Sequence, residues 1–250
     1  FNNFLKFRAS WGRVGNDRLK DENGNDIRFP YLTTLGNVSS TWGTGLAENR
    51  TGSMNLKWEV STKTNFGIDA RFFDDKVDMT VDFFHTKTTD IFQRRANIPD
   101  EGGLSNVLPY ANIGSMKSWG MDGTLAYTHT FNKDMALTVR GNFTHAENEV
   151  IYWEQSGVNY PYQSNSGVPY KVQRGLIALG LFKDEDDIKS SPKQTFMDNY
   201  RPGDIKYKDV NGDGKIDKDD VVPLNYSAVP FIQYLSLIHI SEPTRHLRIS

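Results

Sequence analysis

Cysteine is absent from this sequence of 250 residues. Without it the protein forms no disulfide, uses no thiolate nucleophile and offers no cysteine ligand to zinc. An excess of one charge is also lacking, since 29 basic and 31 acidic residues leave a net charge of −2. We therefore predict no nucleic-acid partner, because nucleic-acid-binding domains carry a clear basic excess. No run approaches the roughly 18 apolar residues of a membrane-spanning helix, which excludes a helical membrane protein.

Motifs of known catalytic sites are missing as well. The sequence contains no GxSxG, HExxH, GxGxxG or Walker motif. Glu147 and Glu149 are closely spaced carboxylates, but two residues on one face of a strand end do not make the cleft of a glycoside hydrolase. His85, His129 and His145 fall on different predicted strands, without a spacing typical of metal ligands. We therefore predict that the protein is not an enzyme.

What the sequence does contain is alternation between apolar and polar residues. From Thr62 to Phe92, two runs alternate strictly, and the acidic segment 74–76 separates them. Successive side chains of a strand point to opposite faces, so each run predicts a strand with one apolar and one ionic face. The short polar segment predicts a hairpin turn between the two strands.

The same alternation recurs along the chain. It is present in residues 5–11, and again in 121–129 and 135–144, which a short turn at 132–134 connects. Between these units lie long connections rich in Gly, Pro, Asn or Asp. They cover approximately residues 13–54, 94–111 and 155–220. Short turns at one end of a sheet and long loops at the other are typical of outer-membrane β-barrels, whereas soluble sandwiches usually have shorter loops at both ends.

These features predict an all-β fold, namely an incomplete segment of a large antiparallel transmembrane β-barrel with long extracellular loops. In such a barrel one parity of each strand faces lipid and the other faces a polar lumen. The residues predicted to face lipid are Phe66, Ile68, Ala70, Val81, Leu125, Leu137 and Val139. Those predicted to face the lumen are Asp69, Arg71, Asp78, Asp82, Asp122 and Arg140. The alternative is a secreted, calcium-stabilised β-sandwich, a carbohydrate-binding or adhesion module, in which the apolar parity would meet in a core.

One segment matches a metal-binding motif. Residues 209–220 (DVNGDGKIDKDD) have the spacing of a twelve-residue calcium loop, with Gly214 at the sharp turn. The predicted ligands are Asp209, Asn211, Asp213, the carbonyl of Lys215, Asp217 through water, and Asp220. Asp220 replaces the usual Glu at position twelve, and its shorter side chain makes bidentate contact less certain. An Asx-rich turn that binds no ion would contain the same residues.

A short helix is predicted earlier in this connection, within residues 172–188. The segment begins with an apolar run and continues into the acidic run 184–187. We interpret the acidic run as a solvated turn or as the start of the helix rather than as a catalytic cluster, because acidic residues stabilise helix N-termini.

Three segments together resemble a known family. They are residues 5–17 (LKFRASWGRVGND), 56–67 (LKWEVSTKTNFG) and 201–217 (RPGDIKYKDVNGDGKID). In sequence and order they resemble the SusC/RagA family of TonB-linked outer-membrane transporters of Bacteroidota. The resemblance covers about residues 1–234. It implies the C-terminal part of a 22-stranded barrel in the cell outer membrane, whose plug domain, TonB box and final strand lie outside this sequence.

The resemblance also implies partners for the protein. A SusD-like lipoprotein would cap the extracellular face, and TonB would act through regions outside this sequence. The ligand would be an oligosaccharide (glycan) or a peptide, imported when TonB displaces the plug, while outer-membrane lipid would surround the barrel. The resemblance does not imply which nutrient is imported.

Both ends of the sequence depart from the family pattern. The chain begins at Phe1 without a start Met or a signal peptide, so we interpret it as a fragment. After Tyr234 the family would continue in barrel strands, but residues 235–250 (LSLIHISEPTRHLRIS) resemble a translated sequencing adapter. We therefore predict that residues 235–250 are a non-native tail, disordered or poorly packed.

Overall fold

The structure is a computed structural model that describes residues 4–20, 24–41, 43–98, 107–132 and 135–241. Its strands, in chain order, are β1 (Phe4–Asn16), β2 (Thr34–Ser40), β3 (Gly43–Arg50), β4 (Glu59–Phe72), β5 (Val77–Arg94), β6 (Tyr110–Asn132), β7 (Met135–Tyr152), β8 (Val172–Gly175), β9 (Ala178–Leu181), β10 (Lys193–Gln194), β11 (Ile205–Tyr207), β12 (Lys215–Ile216), β13 (Val222–Ser227) and β14 (Ile232–Ser241). The described helices are α1 (Glu185–Ser190) and two 3-10 helices, Pro161–Gln163 and Lys218–Asp220. None of these described helices is long and apolar enough to cross a membrane.

Six strands form one antiparallel sheet in the order β1-β4-β5-β6-β7-β14. Directly paired residues share a face, and the register places Phe66 opposite Phe83, and Phe83 opposite Met121. All residues predicted to face lipid consequently lie on one face, which we name the apolar face. All residues predicted to face the lumen lie on the other, which we name the polar face. The predicted division of the strands into two faces is confirmed.

No second sheet covers the apolar face. Among the described residues, the extensive contacts of each strand in this sheet are with its neighbours in the sheet. Phe66 and Leu125 on the apolar face remain 44% and 54% exposed. In a β-sandwich such side chains would interdigitate with those of a second sheet. The sandwich alternative is therefore wrong, and the described strands form an open sheet, as expected for a segment of a larger one.

Short turns join the strands at one end of the sheet. β4 and β5 are connected by residues 73–76, which confirms the hairpin turn predicted at 74–76. Residues 73–75 have φ angles between 56° and 62°, a left-handed conformation that Asp adopts more readily than most residues. The turn predicted at 132–134 joins β6 to β7, although Lys133 and Asp134 lie outside the described residues.

Toward the other end, the strands are long. β5, β6 and β7 contain 18, 23 and 18 residues, whereas about 9–11 residues suffice for a strand to cross a bilayer. On the same side of the sheet as the apolar face, the apolar side chains give way here to charged ones, and Lys117 Nζ lies 3.0 Å from Glu149 Oε2. The long-loop ends of these strands therefore extend beyond the apolar band.

The first two connections differ from the predicted loops. β1 continues to Asn16, and β2 and β3 form a hairpin within the connection predicted at 13–54. The long connection is present but contains regular structure that was not predicted, because these strands are rich in Gly, Thr and Asn and largely exposed, so they show no apolar alternation. In the connection predicted at 94–111, β5 reaches Arg94 and β6 begins at Tyr110. Residues 99–106 of that connection lie outside the described part of the chain.

The third connection, predicted at 155–220, runs from β7 to β14 and contains β8 to β13, α1 and both 3-10 helices. The helix predicted within 172–188 is confirmed only at α1, because residues upstream form β8 and β9. Gly175 and Gly180 disfavour a helix in that upstream part. Asp184 caps α1 and accepts a hydrogen bond from the backbone N–H of Asp187 at 2.8 Å. The acidic run is therefore a helix start, as predicted.

The predicted tail is partly ordered. Residues 235–241 belong to β14 and pair with β7, so they are not disordered, but residues 235–240 remain exposed, which agrees with the predicted poor packing. An edge strand offers unpaired backbone groups that an extended segment can satisfy. The pairing places Leu235 and Leu237 on the polar face, opposite Asn142 and Arg140. Residues 242–250 lie outside the described residues, and the non-native origin of the tail stays a prediction.

Candidate functional site on the polar face and in the long connections

An ionic network links three strands of the polar face. Arg8 on β1 donates from Nε and Nη2 to the two carboxylate oxygens of Asp69 on β4, at 2.9 and 3.0 Å. Its Nη2 also donates to Asp82 on β5 at 2.8 Å. Gly67 lies between Arg8 and Asp82 in the register, and it has no side chain to obstruct the guanidinium. These charge-assisted bonds hold the three side chains in one arrangement on the sheet surface.

The remaining predicted lumenal residues continue this charged surface. Arg71 Nε lies 3.3 Å from Asp78 Oδ2 across the β4–β5 hairpin. Asp122 and Arg140 lie on the same face and make no ion pair with any described residue. The structure thus places all the predicted lumenal residues on one surface that suits water and polar solutes better than lipid.

The two glutamates considered for hydrolysis are held apart by basic neighbours. Glu147 Oε1 lies 3.3 Å from His145 Nε2, and Glu149 pairs with Lys117. Each carboxylate is therefore committed to a different partner at the end of β7, and the pair does not converge on a shared cleft. This arrangement does not favour a glycoside hydrolase.

A cavity of about 540 Å³ lies where β5, β6 and β7 join the long connections. The rings of Phe92 and Tyr110 stack in its wall with centroids 4.7 Å apart. Trp153 and Tyr170 line it from the connection that follows β7. This connection folds back onto the strand it leaves, since the N–H of Gly167 donates to the carbonyl of Val150 on β7 at 2.7 Å. Sequence reasoning missed this cavity because its lining residues come from several separate segments without a shared local pattern.

One ion pair fastens two connections beside the cavity. Glu154 is 7% exposed and accepts hydrogen bonds from Arg95 Nε at 2.8 Å and from the backbone N–H of Ala96 at 3.0 Å. Burial by itself raises the pKa of Glu154, but the hydrogen bonds from Arg95, Ala96 and Asn97 together lower it below its ordinary value. The charged carboxylate therefore ties the segment after β7 to the segment after β5.

The predicted calcium ligands lie in one compact loop. Both carboxylate oxygens of Asp209 accept backbone N–H groups, from Gly212 at 2.6 Å and Gly214 at 2.8 Å. Asn211 Oδ1 accepts the backbone N–H of Asp213 at 3.0 Å. Asp213 Oδ1 in turn accepts the backbone N–H of Lys215 at 2.9 Å. Backbone donors therefore already satisfy these side chains in part, as they do in Asx turns.

Asp220 closes the same loop from its other end. It is fully buried, and its Oδ1 accepts the N–H of Val210 at 2.7 Å while its Oδ2 accepts that of Asp217 at 2.9 Å. Asp217 itself caps the following 3-10 helix and accepts the N–H of Asp219 at 2.7 Å. In this structure Asp220 therefore stabilises the loop by joining its two ends through hydrogen bonds.

Two stacked tyrosines outside the 209–220 loop contact it. The rings of Tyr160 and Tyr162 lie 5.4 Å apart, and the hydroxyl of Tyr162 donates to the carbonyl of Asp219 at 2.6 Å. Burial, followed by the neighbouring Tyr160 and Asp220, raises the pKa of Tyr162. Asn211 Nδ2 donates to the hydroxyl of Tyr160 at 3.4 Å. The loop is therefore anchored to the 3-10 helix that precedes β8.

The fit of this loop to a cation is incomplete. Among the described residues, no three acidic or histidine side chains converge to hold a metal ion. The donor set is nevertheless suitable for calcium, because carboxylate and amide oxygens are hard ligands and each oxygen that accepts one N–H keeps a second lone pair. Calcium would require the side chains of Asp209 and Asp213 to turn toward a common centre. Calcium binding by residues 209–220 stays a prediction.

Comparison with known proteins assigns the sheet to a family. Residues 1–217 match the family model described as TonB dependent receptor-like, beta-barrel. The chain belongs to this family. The match includes five of the six strands of the main sheet and most of the third connection. The members of this family are transport receptors of the outer membrane rather than a class of enzymes, which confirms the predicted outer-membrane location.

Individual relatives support the narrower resemblance. TonB-dependent receptor P39 of Formosa agariphila is 31% identical over 251 residues, covering 87% of this chain and 23% of that protein. TonB-dependent receptor SusC of Bacteroides thetaiotaomicron is 25% identical over 231 residues, covering 86% of this chain and 21% of that protein. The RagAB peptide transporter has a similar fold, with a TM-score of 0.66 and 22% identity over 95% of this chain and 25% of that chain. The resemblance to the SusC/RagA family is confirmed, and the chain spans between a fifth and a quarter of these relatives.

Proposed function

We propose that this chain forms part of the wall of an outer-membrane transporter that imports a nutrient with energy supplied through TonB. The observation that carries this proposal is the sheet with two different faces. Its apolar face suits lipid, and its polar face carries the network of Arg8, Asp69 and Asp82 that would line a water-filled lumen. Family membership supports transport in preference to adhesion or catalysis.

The nutrient we propose is an oligosaccharide or a peptide. RagAB is described as a peptide importer, which supports a peptide. The likeness to that structure lies in the fold, at 21% identity, so both ligand classes remain part of the proposal. We also propose a SusD-like lipoprotein at the long-loop end, where the ordered third connection and the β2–β3 hairpin offer a surface to a partner.

Growth of the source bacterium tests the transport function. The gene for the full-length receptor is deleted, and growth is measured on oligosaccharides or on peptides as the limiting nutrient. Growth on at least one of these nutrients should be lost, and it should be restored by the intact receptor but not in a strain that lacks TonB. Undiminished growth of the deletion strain on every nutrient supplied would contradict the proposal. Co-purification of a lipoprotein with the tagged receptor tests the partner separately.

We further propose that residues 209–220 bind calcium and order the third connection. The number and spacing of oxygen ligands from Asp209 to Asp220 support this role. The four aspartates among the proposed ligands repel one another, and a divalent cation would convert their repulsion into attraction. The anchoring of the loop by Tyr162 would then transmit this order to the segment that returns toward the cavity.

A further inference from the structure

A row of basic side chains crosses the main sheet on the side of the apolar face. Lys87 on β5 and Lys117 on β6 are paired directly in the register. Arg13 on β1 belongs to the same row, with Thr62 of β4 between it and Lys87. Like charges placed directly opposite one another on a sheet are destabilising. Lys117 has an acidic partner, Glu149, at 3.0 Å, but Lys87 and Arg13 make no ion pair with any described residue. We name these three basic residues the basic row.

An aromatic row separates the basic row from the apolar band. Trp11 on β1, His85 on β5 and Trp119 on β6 share one cross-strand row on the same side of the sheet. Lys117 Nζ lies 5.3 Å from the centroid of the Trp119 ring. Tryptophan is enriched where a membrane meets water, because its ring is apolar and its N–H is polar. The order of apolar band, aromatic row and basic row is therefore that of a surface which leaves the hydrocarbon and enters the headgroups.

The spacing along β6 agrees with this order. Tyr127 and Trp119 are eight residues apart and lie on the same side of the sheet. At about 3.4 Å per residue they are roughly 27 Å apart along the strand, which a strand tilt of about 40° reduces to roughly 20 Å. The apolar band of an outer-membrane barrel is about 25 Å tall, with aromatic residues at both borders. Lys117 follows Trp119 on this side of the strand, so it lies at headgroup level when the apolar face contacts lipid.

An apolar groove lies on the same strands, closer to the middle of the apolar face. It has a volume of about 240 Å³, and the apolar side chains that line it are Met79, Val81, Met121, Leu125 and Phe143. Gly123 and Gly141 also line it. A Cβ at Gly141 would meet nothing within 4 Å, so the missing side chain leaves open space between its neighbours. An extended hydrocarbon chain matches this groove because the side chains around it are apolar.

We propose that Lys87 and Lys117 bind the phosphate of a membrane phospholipid whose acyl chain lies in the apolar groove. This inference rests on the proposed function, because it requires the apolar face to contact lipid. A phosphate between the two lysines would offset their mutual repulsion, and each ammonium group offers hydrogen-bond donors to the phosphate oxygens. The groove and the basic row lie in the order in which a phospholipid places its chain and its headgroup.

The described part of the chain leaves this site accessible. Lys87 and His85 are exposed. The third connection packs against the other side of β7, where the N–H of Tyr170 donates to Asn148 Oδ1 at 2.6 Å. Asn148 is paired with Ser118 and belongs to the polar face. The connection therefore contacts the polar face and leaves the basic row open to lipid.

Two acidic residues of β7 lie on the same side of the sheet as the basic row. Glu149 contacts Lys117, and Glu147 Oε1 lies 3.3 Å from His145 Nε2. Lys87 is two strands away from both, because β6 lies between β5 and β7. Glu149 therefore competes with a phosphate for Lys117 alone, and removal of its charge should strengthen phosphate binding.

Lipid binding to the full-length receptor in detergent micelles tests this site. The probe is dioleoylphosphatidic acid, and the reference is dioleoylglycerol, which has the same chains without the phosphate. Native mass spectrometry measures the affinity of each lipid. We expect Lys87→Gln/Lys117→Gln to weaken the binding of phosphatidic acid by about tenfold or more, since two lysines near a membrane surface contribute attraction of that size to an anionic lipid. The binding of dioleoylglycerol should be unchanged, which also shows that the double variant is folded.

Further variants and a competitor sharpen the comparison. Lys6→Gln/Lys63→Gln removes the same charge from the polar face and should leave the affinity for phosphatidic acid within about twofold of the wild type. Glu149→Gln should raise this affinity, because it frees Lys117. Gly141→Leu should lower the affinity for both lipids, because it fills the groove. Inorganic phosphate should displace little phosphatidic acid, because it has no acyl chain.

The outcomes separate this inference from the proposed function. The site is wrong if Lys87→Gln/Lys117→Gln binds phosphatidic acid as tightly as the wild type does. It is also wrong if the wild type binds dioleoylglycerol equally well, or if inorganic phosphate displaces the lipid completely. If no phosphatidic acid binds while Val81→Arg destabilises the receptor much more than Thr144→Arg, this inference alone fails. If no phosphatidic acid binds and these two substitutions have equal effects, the apolar face does not contact lipid and the proposed function fails as well.

Discussion

The guanidinium of Arg8 passes over Gly67 to reach Asp82, with 2.8 Å between Nη2 and Oδ2. Two neighbouring strand pairs bring these residues into one row across β1, β4 and β5. A Cβ at Gly67 would lie 2.8 Å from Arg8 Cζ and also meet Asp82. The absence of a side chain on the middle strand therefore allows an ionic contact between strands that are not neighbours.

The first prediction concerns this glycine. Gly67→Ala should lower the free energy of unfolding of the full-length receptor by about 1–3 kcal/mol, because the methyl group forces the ionic network to rearrange. Gly12→Ala is a matched control on the same face, since a Cβ there meets nothing within 4 Å. Urea unfolding in detergent micelles measures both variants. Equal stabilities of the two variants would contradict the close approach of Arg8 over Gly67.

The second prediction concerns the orientation of the sheet in the membrane. Val81→Arg places a charge on the apolar face and should cost about 2–4 kcal/mol if the site lies near the bilayer midplane. Thr144→Arg places the same charge on the polar face, opposite Asp122 in the register, and should cost much less. Folding of the full-length receptor into lipid vesicles measures the difference. Similar costs at both positions would show that the apolar face does not contact lipid.

The third prediction concerns pH. The pKa of Glu154 lies below its ordinary value in the folded protein, so its bonds to Arg95 contribute stability above the pKa of the unfolded chain. This contribution is lost as the pH falls through the lowered folded pKa. Glu154→Gln should therefore be less stable than the wild type by about 1–3 kcal/mol near neutral pH. The difference should shrink toward zero in acid.

Urea unfolding of both proteins across a series of pH values checks this dependence. Glu147→Gln serves as the control, because Glu147 is half exposed beside His145 and should change stability little. A stability difference for Glu154→Gln that stays constant down to strongly acidic pH would contradict a stabilising charged form of Glu154.

The fourth prediction concerns the 209–220 loop. Terbium titrated into the receptor should emit when excited through tyrosine, and calcium should displace it. Tyr207 precedes the loop, while the structure places the hydroxyl of Tyr162 on the carbonyl of Asp219, so Tyr162→Phe should reduce the emission. The double variant Asp209→Ala/Asp213→Ala should abolish it because it removes two predicted ligands.

Asp186→Ala is the control for general loss of negative charge, since this residue of α1 is exposed and lies outside the loop. Its emission should equal that of the wild type. Undiminished emission from the double variant would leave residues 209–220 as an Asx-rich turn closed by Asp220, the arrangement that the structure contains.

The sequence alone determined which residues share a face of the main sheet. Strand side chains alternate with a period of two, so Phe66 and Val81 are assigned to one face and Asp69 and Asp82 to the other without any knowledge of strand order. The turn at 74–76 and the helix start at Asp184 were also predictable, because acidic and polar residues act there through local backbone contacts. The spacing of the predicted calcium ligands in residues 209–220 can likewise be recognised from one short segment of sequence.

Only the tertiary structure decided which distant residues meet. The contact of Arg8 with Asp82 joins residues 74 positions apart in the sequence and depends on the register of two strand pairs. The hairpin of β2 and β3 escaped prediction because exposed strands need no apolar alternation to pair through their backbones. The cavity where β5, β6 and β7 join the long connections has no local signature either. Its lining residues lie far apart in the sequence, and only the packing of these segments brings them together.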